Sequence, residues 1–141
     1  MPLENPSYVA YGNIRPFRIL IPRQTSPADH SADNVVTEAA DGTVCPVGIS
    51  QAGGRLAPLP ASAGTVYAAA DGEPIAVAGL GAQTTDLLLG GTVQSGDLIM
   101  ATTAGVGIKA TAGNYHVGRA RSYGVSGDRI PVQVFFGLTH A

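Results

Sequence analysis

The sequence predicts an all-β protein, a compact barrel or sandwich behind an extended N-terminal arm, and three observations carry that prediction. Nineteen glycines and ten prolines are spread through 141 residues without a strict period, which excludes collagen and implies many turns. Short apolar and β-branched stretches recur between those turn signals. No segment sustains a helical period with caps: the best helical candidate, Thr84 to Leu89, is too short for more than one or two turns.

Residues 1–33 stand apart from the rest. They hold Pro2, Pro6, Pro16, Pro22 and Pro27, half of the prolines, together with Arg15, Arg18, Arg23, Tyr8 and Tyr11. Proline removes a backbone donor and fixes φ, which argues against a long helix or a central strand here. Phe17 to Ile21 can form one short strand. This segment is expected as an extended arm ordered against a neighbouring protein.

From residue 34 the expected strands follow in order, each set off by a turn. Val35-Val36-Thr37 precedes Asp41-Gly42, and Thr43 to Val47 runs into Gly48. Thr65-Val66-Tyr67 precedes Asp71-Gly72, and Ile75-Ala76-Val77 follows. Gly90-Gly91 leads to Thr92-Val93, and Gly96 leads to Asp97 through Met100. Val106 to Ala110 alternates at period two, as do Ile130 to Val134, and Tyr115-His116-Val117 lies between them. Residues 52–64 form the most obvious loop.

An internal echo runs through this series. Pro46-Val47-Gly48-Ile49-Ser50 and Asp71 through Val77 are matched by His116-Val117-Gly118-Arg119-Ala120 and Gly127 through Val132. Either an internal duplication or chance in a Gly/Val/Ala-rich chain produces such a pattern.

Composition bounds the function. Apolar residues at 45% argue against disorder, while charged residues at 13% leave a surface suited to burial against partners. The net charge of −2 offers no general attraction to nucleic acid. Arg119 and Arg121 are expected on one face with Arg129 joining them, a surface or interface cluster and not a groove reader. No stretch approaches the roughly 20 apolar residues of a membrane-spanning helix. The N-terminus lacks a basic region followed by an apolar one, so synthesis in a cytoplasm is expected. Cys45 is the single cysteine, which excludes a disulfide framework and a cysteine-based zinc site; a small buried hydrophobe is its expected role.

No catalytic or cofactor-binding residue is expected. His30, His116 and His140 have no nucleophile and orienting acid in a recognisable pattern, and no Gly-x-Ser-x-Gly elbow exists. Gly79-Leu80-Gly81 is followed by Thr84 where a dinucleotide-binding loop needs glycine. Asp29, His30 and Asp33 are too few for a hard-cation site, and no metal is expected. Asp41, Asp71, Glu73, Asp97 and Asp128 sit beside turn glycines, a place that turn geometry explains. Gly96 to Met100 and its hairpin resemble the small barrels that carry biotin or lipoate. Those require a lysine at the tip, where this chain has Thr102-Thr103-Ala104-Gly105.

The order of motifs from Gly91 to Gly137 carries a further resemblance. Gly-Thr-Val-Gln-Ser-Gly-Asp-Leu-Ile-Met-Ala is followed by a glycine-centred hairpin, Val-Gly-Arg-Ala, then Ser-Gly-Asp-Arg-Ile-Pro-Val-Gln-Val-Phe-Phe-Gly. This resembles the capsid decoration (cement) proteins of bacteriophages. Val47 to Gln51 and Ala70 to Ile75 match the first half of that pattern, so the resemblance spans about residues 34–137. The Pro-rich arm and the 52–64 loop depart from it.

The resemblance implies a β-tulip-like domain over 34–141, without enzymatic activity or cofactor, on the outer surface of the virion. Its implied partners are the major capsid protein and further copies of itself, as a homotrimer. In that setting the arm is the expected capsid contact, with Tyr8, Tyr11 and Phe17 as anchors and Arg15 and Arg18 pairing with shell carboxylates. The competing readings are another virion component, a head-fibre base or tail protein, and a carbohydrate-binding module, which lacks its tryptophan platform here. An enzyme is the weakest.

Overall fold

Along Arg129 to Val134 buried and solvent-facing positions alternate with few exceptions, the pattern of a strand with one face in a core. That strand is the last of eleven in the computed structural model, which describes residues 8–22, 35–51, 69, 71–72, 74–79 and 84–139. In chain order they are β1 (Tyr8–Ala10), β2 (Ile19–Pro22), β3 (Val35–Glu38), β4 (Gly48–Ser50), β5 (Pro74–Ile75) and β6 (Val77–Ala78). There follow β7 (Thr85–Leu88), β8 (Leu98–Ala101), β9 (Gly107–Lys109), β10 (Tyr115–Ala120) and β11 (Arg129–Leu138). The one helical turn among the described residues is a 3-10 turn at Thr103–Gly105. The all-β expectation holds. Thr85–Leu88, part of the best helical candidate, is a strand with alternating burial.

The strands form two sheets, in the orders β5-β1-β3-β2-β4-β6 and β7-β11-β10-β8-β9. In the first, the two edge strands β5 and β6 are separated only by Ala76, so one stretch of chain joins both edges and the sheet closes. In the second, a parallel bridge between Leu89 and Gly107 joins its ends. Among the described residues closure leaves no unpaired sheet edge to template aggregation.

The two barrels are copies of one plan. Residues 8–22 correspond to 87–101, 35–39 to 106–110, 47–51 to 117–121, and 69, 71–72 and 74–78 to 124, 126–127 and 129–133. Tyr8 pairs with Ile75 as Leu87 pairs with Ile130. Leu20 pairs with Gly48 as Ile99 pairs with Gly118. Ser50 pairs with Val77 as Ala120 pairs with Val132. The bridge from Ile14 to Ala69 is repeated from Val93 to Gly124, and the parallel pair Ala10 and Val36 is repeated as Leu89 and Gly107. A one-residue slip would turn every side chain inside out, so agreement at each of these pairings shows a duplicated fold.

Each barrel fills its own interior from the same positions. Ala10, Ile14, Leu20, Val36, Ala69 and Ile75 fill the first. Their counterparts Leu89, Val93, Ile99 and Ile130 belong to the second core, where Gly107 and Gly124 stand in place of Val36 and Ala69. Volume is exchanged between neighbours. Leu89 is larger than Ala10, and a Cβ on Gly124 would lie 2.7 Å from a Leu89 methyl. Leu87 stands at the Tyr8 position, and a Cβ on Gly107 would lie 2.6 Å from it. Such compensation keeps packing density while the sequences diverge.

The second core runs on into the junction between the barrels. Ile19, Ala39 and Ile49 of the first barrel cluster with Ala101, Ala120 and Val134 of the second, and Ile21 and Phe136 pack against them. Backbone bonds cross the junction from Leu88 N–H to Phe17 O at 3.0 Å and from Tyr115 N–H to Gly42 O at 2.8 Å.

The chain's beginning is where the expectation changes. Residues 8–22 do not stand off as an arm: they supply β1 and β2, and β2 lies inside the first sheet between β3 and β4. The two prolines are accommodated because Pro16 occupies a turn and Pro22 ends β2. Residues 1–7 and 23–34 lie outside the described residues, so the boundary expected at 33/34 has no counterpart in what is described. The repeat divides between Ala78 and Thr85 instead.

Candidate functional site

The repeat places four turns in equivalent positions, each leading from a bridge residue into a strand. One residue in each is left-handed: Phe17 at φ 62°, Gly72 at 83°, Gly96 at 95° and Gly127 at 92°. Glycine adopts that conformation freely, whereas a bulky side chain is strained in it by roughly 1 kcal/mol or more. Phe17 is the one non-glycine of the four.

The following residue also differs. In the second barrel Asp97 accepts from Gln94 N–H at 2.9 Å and Asp128 accepts from Val125 N–H at 3.0 Å, each carboxylate closing its own turn. Arg18 occupies the matching place in the Arg15-Pro16-Phe17-Arg18 turn. That turn is held differently. Arg15 N–H donates to Glu38 Oε2 at 2.9 Å, and the Arg15 guanidinium donates to both Glu38 oxygens at 3.1 and 2.8 Å. Buried Ser50 ties the two ends together, its hydroxyl donating to Arg15 O at 2.7 Å and accepting from Arg18 N–H at 3.0 Å.

This turn meets the second barrel in an open cleft of about 500 Å³ lined by Arg15, Pro16, Phe17, Arg18, Leu88, Gly127 and Arg129. The Arg129 guanidinium carbon sits 4.4 Å from the Phe17 ring centroid, a cation–π contact. Its Nε is 3.6 Å from Asp86, with both side chains about half exposed, a pair that solvent screens. Arg18 donates from Nη1 to Ala104 O at 3.0 Å, while its Nε is buried with no hydrogen-bond partner among the described residues. Burial, and secondarily the charge of Arg15, lowers the Arg18 pKa, with Glu38 opposing. The cleft therefore holds three guanidiniums against the carboxylates of Glu38 and Asp86.

Of the five expected contact residues, Arg15, Phe17 and Arg18 line the cleft. Tyr8 and Tyr11 do not. Tyr8 is half-buried in β1 against the first core, and Tyr11 lies on the turn after β1, 47% exposed. Of the arginines expected on one face, Arg119 and Arg121 are both exposed beside Gln133, and Arg129 joins Phe17 instead. Arg119 donates to Gly96 O and lies over Phe135, Arg121 donates to Gln133, and Arg129 turns to Phe17. Sequence reading missed Arg129 and Leu88 as partners of the turn; setting Gly127-Asp128 against Phe17-Arg18 was the signal that could have found the contrast.

His116 is buried, its Nδ1 3.1 Å from Thr139 Oγ1 and its ring edge-on to Phe135. Cys45 is exposed and not buried as expected, because Thr43 to Val47 forms a bend and irregular chain in place of the expected strand. Among the described residues no three His, Cys, Asp or Glu side chains converge as for a metal ion. No helix among the described residues is long and apolar enough to cross a membrane. Asp29, His30, Asp33, His140 and the 52–64 loop lie outside the described residues.

No family model matches this chain, and no curated protein matches it. Among solved structures it is similar to the N base of the head fibre protein gp8.5 of bacteriophage phi29, with a TM-score of 0.57 and 14% identity. The match covers 95% of this chain and 96% of that one, so the likeness of fold takes in both barrels.

Proposed function

We propose that this chain is a structural component of a phage head that works by adhesion on its outer surface, bridging major capsid protein subunits as a decoration protein. The observation that carries this reading is the end-to-end likeness of fold to a phage head-fibre base. The order of glycine-turn motifs from Gly91 to Gly137 supports it independently. Two closed barrels sharing one apolar junction make a rigid body, which is what a clamp needs and a catalyst does not require. A homotrimer on a three-fold site would combine weak contacts, raising avidity by roughly 10²–10⁴ over one contact. Binding only the mature shell would stabilise that shell by mass action.

A second reading, the base of a head fibre, is favoured by the name of that structural neighbour. Adding purified protein to heads that lack it separates the readings. A decoration protein saturates a lattice of sites and raises the temperature at which heads release their genome. A fibre base binds at sites from which fibres project. Protein that binds heads at neither kind of site ends both.

A further inference from the structure

We infer that the cleft between the barrels is the seat of an acidic, extended segment of the partner shell protein, with Arg18 and Arg129 meeting its carboxylates and Phe17 serving as the apolar anchor. The inference deepens the head-surface reading and rests on it.

The internal repeat supplies the comparison that makes the cleft stand out. Three equivalent turns carry glycine at the left-handed position, and only the Arg15–Arg18 turn, which lines the cleft together with Gly127, carries a phenylalanine there. Gly96 and Gly127 have open space around them, so nothing in the fold demands a ring at that position. Strain held at one copy of a repeated element marks a local purpose.

Charge points the same way. Where Asp97 and Asp128 close their own turns, the Arg15–Arg18 turn has Arg18, which makes no ion pair among the described residues and has a buried Nε without a partner among them. A half-buried guanidinium in that state gains from an incoming carboxylate more than an exposed one does. Arg129 is held by a stacked ring and a 3.6 Å exposed pair, contacts that a competing carboxylate can replace. Pro16, Phe17 and Leu88 supply apolar contact beside these charges. Arginine and aromatic side chains at a concave junction are the residue types that dominate protein interfaces. The whole chain carries a net charge of −2, so this basic cleft is a local feature.

The test uses heads that lack the protein and four full-length chains: wild type, Phe17→Gly, Arg129→Glu, and Arg121→Glu as an exposed arginine outside the cleft. The expected result is at least about ten-fold weaker head binding for Phe17→Gly and Arg129→Glu, with melting temperatures close to wild type. Arg121→Glu is expected to bind as wild type does. Soluble polyglutamate should displace the wild-type protein and leave residual Arg129→Glu binding unaffected. Wild-type affinity in both cleft variants overturns the inference, as does an equal loss in Arg121→Glu. Displacement by a short oligonucleotide but not by polyglutamate assigns the cleft to a phosphate backbone and overturns it too. Failure of the wild-type protein to bind heads removes the head-surface reading itself, a distinguishable outcome.

Discussion

Phe17 and Gly96 occupy the same position in the two barrels, and both are left-handed, at φ 62° and 95°. Phe17 N–H donates to Ser50 O at 2.9 Å just as Gly96 N–H donates to Ala120 O at 2.8 Å. The backbone is conserved between the copies while the side chain changes from none to a half-buried ring. Replacing Phe17 by glycine relieves roughly 1 kcal/mol of conformational strain and forfeits a partly buried ring and its guanidinium contact, of similar size. The expected stability is within about 1 kcal/mol of wild type. Gly96→Ala has open space around its new methyl group and only the conformational term, so a loss of about 1 kcal/mol is expected. Thermal unfolding of both variants checks the pair.

Gly118 and Gly48 are the opposite case, glycines required by space. A Cβ on Gly118 would collide with the carbonyl oxygen of Gln133 and approach a Val132 methyl at 2.8 Å. Gly48 meets Ala78 O and Val77 in the same way in the first barrel. Backbone cannot yield as a flexible side chain does, so Gly118→Ala and Gly48→Ala should each cost about 3 kcal/mol. Denaturant unfolding measures the loss. A cost below about 1 kcal/mol at either site would contradict the close strand approach.

Glu38 bonds the backbone and the guanidinium of Arg15 together, and its side chain is only 14% exposed. Glu38→Ala should destabilise by about 1–2 kcal/mol, because a backbone donor and a partly buried cation both lose their acceptor. Arg15→Ala should cost less, since the backbone bond survives. A double-mutant cycle between the two positions should return a coupling of about 1 kcal/mol.

His116 gives a pH dependence with a defined sign. Burial, and secondarily Arg119, holds its pKa below the ordinary 6.5. The folded protein then binds fewer protons than the unfolded chain below pH 6.5, so the stability contributed by neutral His116 is full above that value and is lost as pH falls through the folded pKa. The melting temperature should fall on acidification through this window, and His116→Gln should flatten that dependence. An NMR titration of the ring with a midpoint at or above 6.5 would contradict the account.

How much of this was legible in the sequence varied along the chain for a physical reason. Gly96-Asp97 and Gly127-Asp128 announce their turns, since glycine takes the left-handed position and the carboxylate closes the loop, and strands β8 and β11 follow where expected. The echo at Gly48 and Gly118 survived because both strands need a residue without Cβ. Within residues 8–22 only the short strand expected at Phe17 to Ile21 was legible, and it overlaps β2; β1 was not, because Phe17-Arg18 stands where a Gly-Asp signal would be and Pro16 reads as an arm. Of Tyr8, Tyr11, Arg15, Phe17 and Arg18, expected on chemistry alone to share a contact surface, the structure gathers Arg15, Phe17 and Arg18 at the cleft. Arg129 was not connected with them, because its contact with Phe17 joins the two barrels across nearly the full length of the chain.

The central claim, that this protein belongs to a phage head and acts by adhesion, is tested most directly by its copy number in purified particles. Quantitative mass spectrometry of genome-filled heads should find it in a fixed ratio to the major capsid protein, undiminished by repeated gradient purification. Its absence from those particles, or a trace that falls with each purification step, would contradict the account.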